Sequence, residues 1–247
     1  MTHLMGSKKG ASIKAVIFDF GQTLVDSADG FRMAEKEAER RIFLQMGLPS
    51  WDDFIINYRK IRKAFHSRSE FSRVSIWQVL YEHYGTHGDP DLLKSLEKLY
   101  WDTVKKETRL FPETEPVLTG LSSRYQLGMI TNTQGQTSSQ SHRIKEVPGL
   151  ERFFKVIIVA GEFGVPPKPH PAPFIKCLEM LNISGSQAVY VGDDWEIDMR
   201  GATEVGIQPI WIQHATVKRS WPTVETSIPI ITSLMPLLQL EKVVGFQ

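Results

Sequence analysis

Four apolar runs in this sequence each lead directly into polar residues that could bind or act on a ligand. These residues are Asp19 after the first run, Thr131 and Asn132 at the end of the second, Gly161 and Glu162 after the third, and Asp193 and Asp194 after the fourth. A single carboxylate in such a position is equally typical of a helix N-cap. Several polar groups that follow successive strands instead indicate one shared rim, where a ligand could be bound and chemically changed.

The spacing of apolar residues predicts the elements that hold this rim together. The predicted strands are "KAVIF" (14–18), "QLGMITNT" (126–133), "VIIVA" (156–160), "AVYVGDD" (188–194) and "PIWIQ" (209–213). Between the later strands, apolar residues recur three and four positions apart, which is typical of amphipathic helices. Strands that alternate with helices predict an α/β fold, a Rossmann-like doubly wound sheet of parallel strands covered on both faces. In such a sheet, ligands bind beyond the carboxyl ends of the strands.

A long helical insertion is predicted between the first two strands. Residues 25–108 contain four stretches with helical spacing and few strand signals. The last of these stretches begins with Asp89 as a candidate cap and Pro90 as a first-turn residue. We therefore predict three parts, which are a loose tail at 1–12, an α/β core at 13–24 and 109–247, and an inserted α-helical cap domain at 25–108.

The composition is that of an ordinary globular protein without a strong electrostatic preference. The 247 residues are 41% hydrophobic and 23% charged, and 29 Lys and Arg against 28 Asp and Glu give a formal net charge of +1. This balance offers no basic field for nucleic acid, and no apolar run is long enough to cross a bilayer. The start of the chain lacks the apolar centre of a signal peptide, and Cys177 is the only cysteine. We expect a cytoplasmic protein with neither a nucleic-acid partner nor a membrane partner.

Four short motifs in order carry a resemblance to a known family. The motifs are "DFGQTL" (19–24), "ITN" (130–132), "KPHPAPF" (168–174) and "VGDDWEID" (191–198). In their order and their positions at strand ends they resemble the haloacid dehalogenase (HAD)-like hydrolase superfamily, and the helical insertion resembles the type 1 cap of that superfamily. The resemblance covers the chain from about Lys14 onward. It implies a hydrolase of the phosphatase-like kind.

The resemblance implies that Asp19 is a nucleophile. Its carboxylate would attack phosphorus and form an aspartyl-phosphate, which water then hydrolyses. A Mg²⁺ ion would be held by the Asp19 carboxylate, the backbone carbonyl of Gly21 and Asp193, all of them oxygen ligands suited to a hard cation. Asp198 would act as a further metal ligand or orient a water on the metal.

The resemblance also implies groups that hold the transferring phosphoryl. Lys168 would pair with the nucleophile and the phosphoryl group, Thr131 would donate its hydroxyl, and Asn132 would add an amide to the same oxygens. The alternatives are that Lys168 is a solvated loop lysine and that Thr131 and Asn132 form a turn. Asp194 fits a helix cap as well as a site residue, and His170 is expected to lie on the surface.

Gly21 departs from the pattern of phosphatases in this superfamily. The residue two positions after the nucleophile is usually a second aspartate that protonates the leaving group and then activates water. Gly21 keeps a backbone carbonyl for the metal but supplies no acid, and Gln22 replaces a usual glycine. General acid-base catalysis contributes on the order of 10²- to 10⁴-fold, so an ordinary alkyl phosphate should turn over slowly.

Three hypotheses follow from the missing acid. The first is a weak or restricted phosphatase. It would act on substrates with good leaving groups, such as acyl or aryl phosphates, or use a cap residue such as Asp26 or Asp29 as the acid. The second is cleavage of a carbon–halogen or carbon–phosphorus bond. The third is a binding or regulatory protein that has kept the fold.

The second hypothesis makes specific demands on the sequence. Dehalogenation needs no metal, whereas Asp193 and Asp198 retain the metal-site pattern. Phosphonate cleavage needs a lysine of the cap as a Schiff base, and the candidates Lys36, Lys60 and Lys63 have the spacing of ordinary surface charge. The function predicted from the sequence is therefore a magnesium-dependent hydrolase, a phosphatase of a small phosphorylated metabolite.

Overall fold

A six-stranded sheet forms the centre of the protein, for which a computed structural model describes residues 12–133 and 142–245. The strands in spatial order are β5 (Val156–Ala160), β4 (Gln126–Asn132), β1 (Ala15–Phe18), β6 (Ala188–Gly192), β7 (Gln208–Ile212) and β8 (Ile230–Ile231). All neighbouring pairs in this sheet are parallel. The order changes direction between β1 and β6, which creates a crevice for ligands at their carboxyl ends.

Strand β1 lies in the middle of the sheet and is buried on both faces. Val16 and Phe18 point into one hydrophobic cluster, and Ala15 and Ile17 point into a second cluster on the opposite face. Such alternation follows from the two-residue period of a strand. Because neither face is exposed to water, the strand is apolar throughout, as expected for a parallel sheet that helices cover.

Helices cover the two faces and complete the doubly wound fold. The helices of this part are α5 (Thr114–Ser122), α6 (Pro171–Leu181), α7 (Arg200–Glu204) and α8 (Leu240–Val243). Phe174, Cys177 and Leu181 of α6 pack against one face of the sheet, whereas Val117 and Leu121 of α5 pack against the other. The predicted fold class is confirmed. The predicted tail at 1–12 lies, apart from its last residue, outside the described residues.

Four helices follow one another between the first strand of the sheet and the second. They are α1 (Ala28–Met46), α2 (Trp51–His66), α3 (Arg73–His83) and α4 (Pro90–Lys106). They share their own hydrophobic cluster, in which Trp77, Tyr100 and Trp101 are buried. Helix α4 begins as the sequence predicts, because the Asp89 side chain accepts hydrogen bonds from the backbone N–H groups of its first turn.

A short pair of strands carries the chain into and out of this helical segment. Strand β2 (Val25–Asp26) pairs antiparallel with β3 (Arg109–Leu110). The spacing of apolar residues in the sequence did not predict these two strands. None of the helices within the described ranges combines the length and apolar character that crossing a lipid bilayer requires.

Candidate active site

The carboxyl ends of the strands surround a cavity of about 220 Å³. Its lining includes the residues that the motif resemblance assigns to catalysis, phosphate binding or metal binding, namely Asp19, Gly21, Thr131, Asn132, Lys168, Asp193 and Asp198. Asp19 directly follows β1, Thr131 and Asn132 end β4, and Asp193 directly follows β6. The convergence is a consequence of parallel strand pairing, which brings the ends of β4, β1 and β6 to the same edge of the sheet.

Lys168 joins two of the carboxylates at the floor of the cavity. Its Nζ lies 2.7 Å from Asp19 Oδ1 and 2.7 Å from Asp198 Oδ1, and it also donates to the Tyr190 hydroxyl at 2.8 Å. The Tyr190 hydroxyl in turn contacts Asp198 Oδ1 at 3.1 Å and the Ile130 carbonyl at 3.2 Å. Lys168 is 1% exposed, so the alternative of a solvated loop lysine is wrong.

Burial sets the protonation of this cluster. Burial lowers the pKa of Lys168, but the adjacent Asp19 and Asp198 carboxylates outweigh this effect and raise the pKa above its usual value. Burial also raises the pKa of Asp19 to about 6, against the lowering influence of Lys168. The pKa of Asp193 is raised by burial and by the neighbouring Asp198 carboxylate. The raised pKa values of Asp19 and Asp193 indicate that the nearby cations do not fully offset the burial of these carboxylates.

The same three carboxylates form a donor set that suits a divalent cation. One oxygen from each of Asp19, Asp193 and Asp198 lies within 4.8 Å of the others, and all three residues are buried. A hard cation such as Mg²⁺ prefers oxygen ligands. Its charge would offset the burial and the repulsion from Asp198 that raise the pKa values of Asp19 and Asp193. The residues present therefore fit a Mg²⁺ ion.

Asn132 fixes the loop that carries Lys168. Its Oδ1 accepts a hydrogen bond from the Lys168 backbone N–H at 2.8 Å, and its Nδ2 donates to the Lys168 carbonyl at 3.1 Å. This reciprocal pair holds the loop against the end of β4. The side chain of Asn132 thus acts on Lys168 directly, a role that the sequence pattern did not predict.

Gly192 permits the close approach of Asp198. A Cβ atom added at position 192 would lie 2.6 Å from the Cβ, Cγ and Oδ2 atoms of Asp198. Real atoms do not pack at this separation, so a side chain at position 192 would displace the Asp198 carboxylate. The residue at the end of β6 therefore has to be glycine if Asp198 is to reach the cavity.

We expect Gly192→Ala to weaken Mg²⁺ binding by on the order of tenfold, because displaced ligands and supporting groups typically cost this much affinity. Calorimetric titration with Mg²⁺ measures the effect. Gly128→Ala is the matched control, since its Cβ would crowd Cys177 in the core at 3.0 Å rather than a carboxylate. Equal Mg²⁺ affinity in the two variants would contradict the role given to Gly192.

Some predicted rim residues lie elsewhere or do other work. Gly161 and Glu162 do not belong to the described lining of the cavity. Gly161 instead packs against Thr133, whose Cγ2 atom would lie 2.6 Å from a Cβ added at position 161. Asp194 lines the cavity, and its Oδ1 also caps the following turn by accepting from the backbone N–H groups of Glu196 and Ile197. His170 is exposed, as predicted, and caps α6.

Two arginines outside the four sequence motifs also line the cavity. Arg143 is 1% exposed and begins a short turn (Arg143–Glu146). Arg219 follows β7 in the chain and donates a hydrogen bond to the Asp193 carboxylate. Neither residue stands in a strand-end motif, so spacing alone gave no signal for them.

The comparison with protein families agrees with this geometry. A family model described as a haloacid dehalogenase-like hydrolase matches residues 13–206. The chain belongs to this family. It is therefore a hydrolase, and the predicted resemblance is confirmed.

Curated relatives of this HAD-like hydrolase are phosphatases. The glyceraldehyde 3-phosphate phosphatase of Methanopyrus kandleri is 27% identical over 218 residues, which cover 88% of this chain and 91% of that protein. The N-acylneuraminate-9-phosphatase of Rattus norvegicus is 27% identical over 233 residues, which cover 91% of this chain and 88% of that protein.

A solved structure shares the fold. The YfnB protein of Bacillus subtilis, in a crystal form bound to magnesium, superposes with a TM-score of 0.62 at 22% identity. The match covers 95% of this chain and 100% of that one. At this identity the likeness shows a common fold for the HAD-like hydrolase and YfnB.

The residues considered as substitutes for the missing acid or as Schiff-base lysines do not line the described cavity. Asp26 accepts a hydrogen bond from the Ala28 backbone N–H at 2.9 Å, and Asp29 is exposed and pairs with Arg32. The three candidate lysines are all exposed, and they are Lys36, Lys60 and Lys63. The cavity of this HAD-like hydrolase thus offers neither a lysine from the helical segment nor one of these two acids.

Proposed function

We propose that this HAD-like hydrolase is a magnesium-dependent phosphatase of a small phosphorylated metabolite, acting through an aspartyl-phosphate on Asp19. The observation that carries the proposal is the buried cluster in which Lys168 contacts both Asp19 and Asp198 at 2.7 Å beside Asp193. A nucleophilic carboxylate needs positive charge beside it before it can approach an anionic phosphoryl group. Lys168 supplies part of this charge.

The proposed reaction has two steps. An Asp19 carboxylate oxygen attacks phosphorus while the bond to the leaving oxygen breaks. Water then attacks the same phosphorus and releases Asp19. Lys168 and the Thr131 hydroxyl hold the phosphoryl oxygens, so that charge developing on them meets fixed donors. Asn132 holds Lys168 through its backbone. Its second amide N–H is proposed to donate to the same phosphoryl oxygens.

Mg²⁺ is the proposed cofactor. Asp19, the Gly21 carbonyl, Asp193 and Asp198 would hold it. When bound, the ion would offset the charge of the carboxylates and of the phosphoryl group. The magnesium in the YfnB structure supports this choice of metal.

The helical segment at 25–108 is proposed to act as a cap that closes over the core formed by 13–24 and 109–247. Phe31 in the first turn of α1 lines the cavity, which supports contact between the cap and substrate. The substrates of the two named relatives are small phosphorylated metabolites, which supports the same class here. We also infer a cytoplasmic location.

The test is phosphate release from p-nitrophenyl phosphate and acetyl phosphate, measured with Mg²⁺ and again with excess chelator. We expect turnover that depends on Mg²⁺. Acid quenching during turnover, followed by peptide mass spectrometry, should find one phosphoryl group on the peptide containing Asp19. Metal-independent turnover, or a phosphoryl group on another residue, would contradict the proposal.

A further inference from the structure

Arg143 places a buried positive charge in the cavity wall. Its guanidinium is held over the rings of Phe20 and Phe31, at 5.5 Å and 5.1 Å from the ring centres. Burial lowers the pKa of Arg143 to about 10, so the group is still charged at neutral pH. The aromatic faces and the backbone position of Arg143 keep the charge fixed in direction.

The guanidinium forms no close ion pair within the described ranges, although the charges of Asp19 and Asp193 raise its pKa against the effect of burial. Among the described residues, no carboxylate oxygen forms an ion pair with it, and the residues outside those ranges include no Asp or Glu. Its described hydrogen bond goes to Ser27 Oγ at 3.2 Å, and its buried Nε has no partner. An unpaired buried charge is costly to folding, which makes a structural reason for Arg143 weak.

The guanidinium of Arg143 faces the space beside Gly21. A Cβ atom added at Gly21 would lie 3.6 Å from both Nη atoms of Arg143, an ordinary contact distance. The φ angle of Gly21 lies outside the left-handed region, so neither space nor backbone conformation demands glycine there. The place that a side chain at position 21 would enter is thus open and faces a cation instead of an acid.

The position of Arg143 in the cavity bears on whether it would contact the phosphoryl group or the leaving group of a substrate. The groups proposed to hold the phosphoryl come from strand ends, whereas Arg143 lies beside Ser27 and Phe31 at the start of α1. The remainder of a bound substrate would extend from the strand ends toward this wall. In that arrangement of the substrate, Arg143 would face the leaving group.

We propose that Arg143 binds a carboxylate leaving group and that the substrates are acyl phosphates, an inference that rests on the proposed function. A planar guanidinium matches a carboxylate with two parallel hydrogen bonds. When the Asp19 oxygen–phosphorus bond forms, the bond between phosphorus and the acyl oxygen breaks, and its electron pair stays on the departing carboxylate. In the second step water bonds to phosphorus, the Asp19 oxygen–phosphorus bond breaks, and both hydrogens of water leave on inorganic phosphate.

This leaving group removes the need for the missing acid. A carboxylic acid has a pKa of about 4, so a carboxylate departs at neutral pH without a proton. An alkoxide does need a proton, and Gly21 cannot supply one. A carboxylate leaving group therefore explains both features of this part of the cavity, which are a glycine where an acid is usual and an arginine without a close ion pair.

The test compares kcat/KM for acetyl phosphate and for glycerol 3-phosphate, an alkyl phosphate, in wild type, Arg143→Met and Arg143→Lys. We expect Arg143→Met to lose on the order of 10²-fold on acetyl phosphate, because one charged donor to a developing anion is removed. The loss on the alkyl phosphate should be far smaller, and Arg143→Lys should fall between. Arg152→Met is the matched control, since Arg152 is exposed and pairs with Glu115.

Two readouts separate this role from a structural one. Acetate, the product, should inhibit wild type and the control variant more strongly than Arg143→Met. The thermal midpoint of Arg143→Met should equal or exceed that of wild type, because an unpaired buried charge has been replaced by an apolar chain. A lower midpoint combined with unchanged acetate inhibition would overturn the proposal.

Gly21→Asp tests the role of Arg143 by placing a carboxylate beside its guanidinium. The introduced carboxylate would pair with Arg143 and withdraw the guanidinium from the substrate. The ratio of acetyl to alkyl phosphate turnover should therefore fall, and an unchanged ratio would contradict the proposal.

Equal losses on both substrates in Arg143→Met would assign Arg143 to the phosphoryl group and overturn the inference alone. Absence of magnesium-dependent turnover of any phosphate by wild type would defeat the proposed function and the inference together.

Discussion

Asp19→Asn is expected to lower phosphate release by on the order of 10⁴-fold or more, because an amide cannot form the proposed covalent bond to phosphorus. No phosphoryl group should be found on the variant after acid quenching. The measurement is steady-state turnover of p-nitrophenyl phosphate and acetyl phosphate with saturating Mg²⁺. Retention of more than a small fraction of the activity would exclude Asp19 as the nucleophile.

The fold of this variant should remain intact. Burial raises the pKa of Asp19 to about 6 from 3.8, so keeping the carboxylate ionised at neutral pH costs folding free energy. A neutral amide of the same shape removes that cost. The same substitution removes one of the two carboxylates that pair with the buried Lys168, while Asp198 remains as its partner. Because these two effects oppose each other, we expect the thermal midpoint of the metal-free variant to stay close to that of metal-free wild type. A marked drop in the midpoint would attribute the lost activity to unfolding.

Asp26→Asn is the matched control for Asp19→Asn. Asp26 lies seven positions further along the chain and accepts a hydrogen bond from the Ala28 backbone N–H, which an asparagine side chain can also accept. Its activity should stay close to that of wild type. A large loss in Asp26→Asn would instead support the hypothesis that Asp26 supplies the acid that Gly21 lacks.

Lys168→Met is expected to reduce both stability and activity. The substitution leaves the buried carboxylates of Asp19 and Asp198 without their shared cation, and breaking a buried ion pair from one side typically costs about 3–5 kcal/mol. For a chain of this size we expect the thermal midpoint to fall by on the order of 10 °C. Turnover should fall by on the order of 10²-fold or more, because a fixed positive charge beside the phosphoryl group is lost.

Lys176→Met separates this effect from the general loss of a lysine. Lys176 is exposed on α6, the helix that follows the Lys168 loop, and its substitution should change stability by less than about 0.5 kcal/mol. Mg²⁺ should raise the midpoint of Lys168→Met more than that of wild type, since the ion replaces part of the missing charge. Equal midpoints for Lys168→Met and Lys176→Met would contradict the bridging role.

The sequence was sufficient for the sheet and for the residues that follow its strands. An apolar run such as β1 is local information, and parallel pairing then brings Asp19, Thr131 and Asp193 to one edge. The motif resemblance added Lys168, which lies in a proline-rich loop where spacing alone predicts only a solvated side chain.

The remaining site residues depend on packing between distant parts of the chain. Arg143 reaches the cavity from a short turn after β4, and Arg219 reaches Asp193 from the segment after β7, so no local pattern marks either one. Tyr190 stands within an apolar strand and resembles a core residue until its hydroxyl is found between Lys168 and Asp198. Gly161 and Glu162 show the converse error, because a polar pair after a strand need not face the ligand.

The pairing of β2 with β3 also bears on how such a protein can diversify. Val25 lies opposite Leu110 in this pair, so the chain leaves the sheet for the four helices and rejoins it at almost the same point. Exchange of the intervening segment for a longer or shorter one would leave the gap to be bridged unchanged, and loop-closure entropy grows only slowly with length. The inserted helices can therefore be exchanged during evolution, which changes the substrate, while the core and its nucleophile stay the same.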